Sequence, residues 1–174
     1  IFRFQCQKAP AASSIKISGN TGDGFDSITI KIADVRDDEV DVRTMTIDTS
    51  SLSVSSSDRL IFDFEGSEDL VLLDASSDLS QFDTIEVSKG SADLRSVALK
   101  DGVDLIVNSS IFVTETQYDD LGSIFSSSGD GRIFVEDTNG DGVISSDNQI
   151  LGAEVIISQD LDESILFSSD AFTV

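Results

Sequence analysis

The sequence predicts an all-β chain, and among all-β architectures a parallel β-solenoid of the β-helix or β-roll kind, with a β-sandwich as the alternative. Three observations point there. Short runs rich in Ile, Val, Leu, Phe and Thr recur along the chain, bounded by Ser, Asp and Gly. Several alternate with a period of two, the strand signature. From residue 84 onward strand starts fall roughly every ten residues, and regular spacing of short strands suits a stacked architecture.

Phe2 and Phe4 open an alternating N-terminal segment, 1–14, that could be a first strand of the fold or a strand that pairs with a neighbouring subunit. The rest, 15–174, reads as one β domain. In it Ile28, Ile30 and Ile32 share one face against Thr29 and Lys31, and Met45 and Ile47 alternate with Thr44, Thr46 and Asp48. Leu52 and Val54 alternate with serines. The expected strands are Ser27–Ile32, Val40–Ile47, Leu60–Phe64, Leu70–Leu73, Thr84–Val87, Leu94–Leu99, Val103–Val107, Ile111–Val113, Ile133–Val135, Val155–Ile157 and Ile165–Phe167. Two stretches have helical features. One is Thr116–Phe125, with apolar residues at Tyr118, Leu121, Ile124 and Phe125 and Thr114 as cap; the other is Ser146–Gly152. Connectors such as Ser76-Ser77-Asp78 and Lys89-Gly90-Ser91 are small and polar. Asp101-Gly102 is the main mid-chain pair of the kind that marks a two-residue hairpin, which favours rungs over hairpins.

Composition excludes several functions. With 33 acidic and 11 basic residues, the net charge of -22 repels nucleic acid and anionic membranes. There is no His, so no imidazole base and no His-ligated metal, and Cys6 alone makes no internal disulfide. No apolar run approaches the ~20 residues that span a bilayer. Paired carboxylates such as Asp37-Asp38, Glu68-Asp69 and Asp119-Asp120 could in principle serve a glycosidase, but so acidic a chain produces such pairs by chance. The few bases are unclustered, and the aromatic platforms that carbohydrate sites tend to offer are scarce, with no Trp and Tyr118 alone. The chain is expected not to be an enzyme.

The sharpest motif is Asp137-Thr138-Asn139-Gly140-Asp141-Gly142-Val143-Ile144-Ser145-Ser146-Asp147. Side-chain oxygens at its first, third and fifth positions can converge on one cation. The glycine at the sixth allows a sharp turn, and the next carbonyl can face inward. The spacing resembles the calcium loop of EF-hand and dockerin proteins. That resemblance implies Ca2+, held by Asp137, Asn139 and Asp141 through side chains, by the Val143 carbonyl, and by Ser145 directly or through water, with Ile144 anchoring the loop. Asp147 is a further candidate ligand. The chain departs from the pattern at the twelfth position, where Asn148 replaces the usual carboxylate. The upstream flank also reads as a strand rather than a helix. An ion-free acidic turn is the alternative. A second segment, Gly22-Asp23-Gly24-Phe25-Asp26-Ser27-Ile28, resembles one copy of the RTX nonapeptide, with Thr21 in place of its first Gly. The resemblance would make Asp26 a calcium ligand between stacked turns; a Gly-rich turn entering a strand is the plainer reading.

More loosely, Phe64–Leu72 and Leu79–Val87 look like segments of large secreted bacterial adhesins and RTX-associated surface proteins. The resemblance implies a secreted or cell-surface β protein, stabilised by calcium, that builds a surface layer, filament, matrix or adhesin. Its partners would be further copies or other surface proteins. A calcium-dependent carbohydrate- or receptor-binding module is the second expectation.

Overall fold

A computed structural model describes the backbone of residues 2–6, 12–20, 27–32, 42–53, 58–64, 70–144 and 149–159, with side chains for 27–31, 44–49, 58–64, 70–144 and 149–159. Strands β1 (Phe2–Cys6), β3 (Ser27–Ile32), β5 (Arg59–Phe64), β7 (Thr84–Lys89), β9 (Asp104–Val107), β11 (Ile124–Phe125) and β13 (Ile150–Leu151) form one seven-stranded sheet in that order. Strands β2 (Ala12–Asn20), β4 (Val42–Ser53), β6 (Leu70–Leu73), β8 (Ser91–Asp93), β10 (Ser110–Thr114), β12 (Gly131–Glu136) and β14 (Ala153–Ser158) form the second, also seven-stranded. The chain therefore alternates between two sheets, and among the described residues every strand pairing is parallel, β1 with β3 and β12 with β14 included. This is a β-solenoid.

The alternation of apolar residues dictates the arrangement. One inward column runs Ile28, Leu60, Ile85, Leu105, Ile124, Ile150 across the first sheet. Another runs Val71, Ala92, Ile111, Ile133, Val155 across the second. Both feed one core, in which Leu60, Phe62, Ile85, Ile111 and Ile133 are fully buried. Each such side chain contributes roughly 1.5–3 kcal/mol by leaving water.

A second, smaller cluster lies outside this core: Leu70, Phe112 and Phe134 are buried, with Leu72 and Ile156 packed against them. Phe112 and Phe134 are register partners and stack with centroids 4.7 Å apart at 11°. Arg95 lies 5.9 Å over the Phe112 ring while ion-pairing with Asp93 at 2.7 Å and Glu136 at 3.0 Å. Those carboxylates, Asp93 foremost, hold the Arg95 guanidinium above its already high pKa.

The corners also stack. Leu79, Leu94 and Tyr118 each begin an i to i+3 turn, their carbonyls accepting the N–H of Phe82, Val97 and Leu121. All six side chains enter the core. Aspartates close neighbouring turns: Asp74 Oδ1 accepts the N–H and hydroxyl of Ser76 at 2.9 and 2.6 Å, and Asp78 Oδ1 does the same for Ser80. Much of the Ser and Asp content is therefore corner chemistry.

Three expectations need correction. Leu94–Leu99 is not a strand: the strand of that rung is β8, and Leu94 and Val97 reach the core from a turn. The helix expected over Thr116–Phe125 is short, α1 (Glu115–Asp119), because the chain must return to the sheet as β11. Its cap is as expected, with Thr114 accepting the Gln117 N–H and the Gln117 side chain answering in a capping box. Ser146–Gly152 does not continue as a helix, since Ile150–Leu151 is β13; positions 145–148 lie outside the described residues, as does Ile165–Phe167. The strand Ala12–Asn20 was not expected, being too rich in Ser and Gly to stand out.

Candidate metal centre

The Asp137–Val143 segment leaves the end of β12 at the corner where the preceding rung carries α1. The strand fixes its start: the Asp137 N–H donates to the Ser158 carbonyl at 3.0 Å, continuing the β12–β14 ladder. Asp137 is 5% exposed although it is charged. Its carboxylate accepts the Gly140 N–H on Oδ1 at 2.7 Å and the Gly142 N–H on Oδ2 at 2.8 Å. These donors, Gly142 first, hold its pKa below the ordinary carboxylate value against the opposing effect of burial. The group is thus kept ionised inside the loop.

The next two oxygens repeat the device. Asn139 Oδ1 accepts the Asp141 N–H at 2.9 Å, and Asp141 Oδ1 accepts the Val143 N–H at 2.7 Å. The chain can wind this tightly because Gly140 and Gly142 hold φ of 78° and 70°, the left-handed region that glycine enters freely. The loop is braced from outside. The Asn139 amide donates to Glu115 Oε1 at 3.0 Å, leaving its oxygen turned into the loop, and the Gln159 amide donates to the Gly140 carbonyl at 3.0 Å. Ile144 packs against the main core, while the Val143 side chain is 59% exposed.

The donor set of Asp137, Asn139, Asp141 and the Val143 carbonyl consists of hard oxygens, the class that calcium and magnesium take. The backbone N–H groups of Asn139 and Asp141 also point to the Asp137 carboxylate, so the loop's own amides surround it. Among the described residues no three His, Cys, Asp or Glu side chains cluster as a metal-ion site. Asp137 and Asp141 are the loop's carboxylates within the described segment; Ser145 and Asp147 lie outside it, as does Asp26 of the earlier Gly-rich segment. Asp74 and Asp78 share the i to i+2 turn of Asn139 and Asp141 and are exposed, whereas Asp137 accepts from the third and fifth residues on and is enclosed.

Sequence reading did not anticipate Glu115 and Gln159, which brace the loop. Glu115 belongs to the preceding rung and Gln159 follows the next one, so only the rung register brings them to it. Among the described residues no helix is long and apolar enough to cross a membrane. Compared with protein-family models, with curated proteins and with solved structures, the chain matches none of them.

Proposed function

We propose that this chain is a calcium-stabilised structural protein of the cell exterior, a non-catalytic building block of a surface layer, filament, matrix or adhesin. The observation that carries the reading is the enclosed Asp137 carboxylate. It is kept ionised at the head of a D-x-N-x-D-G loop inserted into one corner of a parallel solenoid. In the reading, Ca2+ is held by the carboxylates of Asp137 and Asp141, the Asn139 oxygen and the Val143 carbonyl, with Ser145 and Asp147 completing the shell. Binding ties the end of β12 to the following rung and offsets local charge repulsion in a chain of net charge -22.

A scaffold role agrees with the side-chain inventory. Lys31, Arg59, Arg95, Lys100 and Arg132 all sit in ion pairs with carboxylates, contacts that join neighbouring strands and corners. Calorimetric titration with Ca2+ tests the site. A saturable binding class that outcompetes excess Mg2+ and vanishes in the Asp137→Ala, Asp141→Ala double variant is the expected result. Binding that survives the double variant unchanged would place the ion elsewhere, and no binding would remove calcium from the account.

A further inference from the structure

The Asp137–Val143 segment carries a reactive dipeptide. Of the four asparagines in the chain, Asn20, Asn108, Asn139 and Asn148, Asn139 is the one followed by glycine. An Asn-Gly pair loses its side-chain amide more readily than other Asn pairs, because glycine has no Cβ to keep its backbone nitrogen away from the preceding side chain. Asn139 and Gly140 are both exposed, so water reaches them. The reaction is a hydrolysis through a cyclic imide. The Gly140 nitrogen bonds to Asn139 Cγ, the Cγ–Nδ2 bond breaks, and ammonia leaves with the former Gly140 amide proton. Water, the sole co-reactant, then opens the imide at either carbonyl and leaves aspartate or isoaspartate at position 139.

In the folded loop three hydrogen bonds engage the reacting groups. The Gly140 N–H, whose proton must leave, donates to Asp137 Oδ1 at 2.7 Å. Asn139 Oδ1 accepts the Asp141 N–H at 2.9 Å, and Asn139 Nδ2 donates to Glu115 Oε1 at 3.0 Å. To present Cγ to the nitrogen, the carboxamide must turn and give up both of its bonds. The nitrogen must also give up Asp137. Two of the three acceptors are carboxylates, which make the stronger kind of hydrogen bond.

From these bonds we infer that Asn139 is a site of hydrolytic deamidation, restrained by the closed loop, and that its conversion opens the loop for good. Isoaspartate lengthens the main chain at position 139, so the Gly140 and Gly142 N–H groups no longer meet the Asp137 carboxylate as they do now. Either product also puts a carboxylate where the Asn139 amide donates to Glu115, and like charges at that spacing repel. The restraint consists of protein groups alone, so it goes beyond the metal reading and holds without an ion.

Conversion then runs in one direction. A loop that opens reacts, a loop that has reacted stays open, and the loss accumulates at this corner as the molecule ages. Glu115 belongs to the preceding rung, so the packing of one rung on the next sets the rate.

Peptide mapping by mass spectrometry, with isoaspartate detection, tests this on the 174-residue chain held for weeks at mildly alkaline pH in chelator. The native chain should convert at position 139 at least about tenfold more slowly than the same chain in guanidinium, since reaction waits for local opening. Asp137→Ala and Glu115→Ala each remove an acceptor and should each speed conversion about threefold or more. Hydrogen exchange shows whether β5 and β7 stay protected in the variants, the sign that the solenoid is folded. Glu115 stands outside the loop, so its variant tests the restraint without removing the enclosed charge of Asp137. Native chain that has converted should exchange the Gly140 and Gly142 amides faster than unconverted chain. Equal rates in native and unfolded chain, no conversion in either, or a folded Glu115→Ala variant that converts no faster than the parent would each overturn the inference. Because chelator is present throughout, failure of the loop to bind calcium would leave these results unchanged.

Discussion

Asp74 and Asp137 both accept hydrogen bonds from residues that follow them, but Asp74 takes the hydroxyl and N–H of Ser76 while Asp137 takes backbone N–H groups from Gly140 and Gly142. Asp74 is exposed, and its pKa is lowered chiefly by the Ser76 hydroxyl and then by the Ser76 N–H. A carboxyl with a lowered folded-state pKa stabilises the fold above its unfolded value, about 3.9, and loses that contribution as pH falls through the folded value. Ser76→Ala should therefore move the Asp74 titration upward, toward the ordinary value, in an NMR pH series; an unchanged titration would show that the hydroxyl bond is absent in solution. Gly131 makes a different prediction. A Cβ there would lie 1.9 Å from the Val107 carbonyl oxygen, part of the preceding rung's backbone. Gly131→Ala should cost about 1–3 kcal/mol in urea unfolding, because β12 must move away from its neighbour. At this scale the alternating isoleucines and the D-x-N-x-D-G spacing were readable directly. The enclosure of Asp137 was not, since it depends on which rung packs over it.

Among the elements, the corner turn holding α1 is tied to the corner before it through one side chain. Gln117 closes the capping box with Thr114, and its amide also donates to the carbonyls of Leu94 at 2.8 Å and Val97 at 2.9 Å. Gln117→Ala should destabilise the chain by about 1–3 kcal/mol, since the Val97 carbonyl loses the Gln117 donor, the Leu94 carbonyl keeps only the Val97 N–H, and the capping box opens. Gln117→Glu should be at least as damaging, because a carboxylate would face those carbonyls; equal stability of all three proteins would show that the corners do not depend on this link. Most strands were legible from their period of two, from Ser27–Ile32 to Ala153–Ser158. Of the corner pairs, Leu94 with Val97 alone reads as strand, within Leu94–Leu99; the two are three apart, a turn spacing that recurs at Leu79 with Phe82 and at Tyr118 with Leu121. That recurrence was the available signal.

For the whole molecule, rung length explains why no exact repeat shows in the sequence. Thr84 pairs with Asp104, twenty residues on, but Ile28 pairs with Leu60, thirty-two residues on, and Ile124 with Ile150, twenty-six on. The strands keep register while the corners vary, so stacking is conserved in space and not in sequence. The Ile124 to Ile150 interval holds the Asp137–Asp147 loop and is seven residues longer than the Leu105 to Ile124 interval before it, which makes that loop an insertion relative to the preceding rung. An insertion in a quasi-linear fold is stabilised locally, so an ion there should act on the last rungs first. Hydrogen exchange should show calcium slowing the amides of β12 and β14 while leaving those of β5 and β7 nearly unchanged; uniform protection would point to diffuse charge neutralisation instead.

The most direct measurement is thermal unfolding of the chain and of its Asp137→Ala, Asp141→Ala variant, each with chelator and with saturating calcium. A ligand at one hundred times its Kd adds about 2.7 kcal/mol, which corresponds to a Tm rise of roughly 5–10 °C for a domain of this size. The account predicts such a rise for the parent chain and little or none for the variant. An equal rise in both, or none in either, would contradict it.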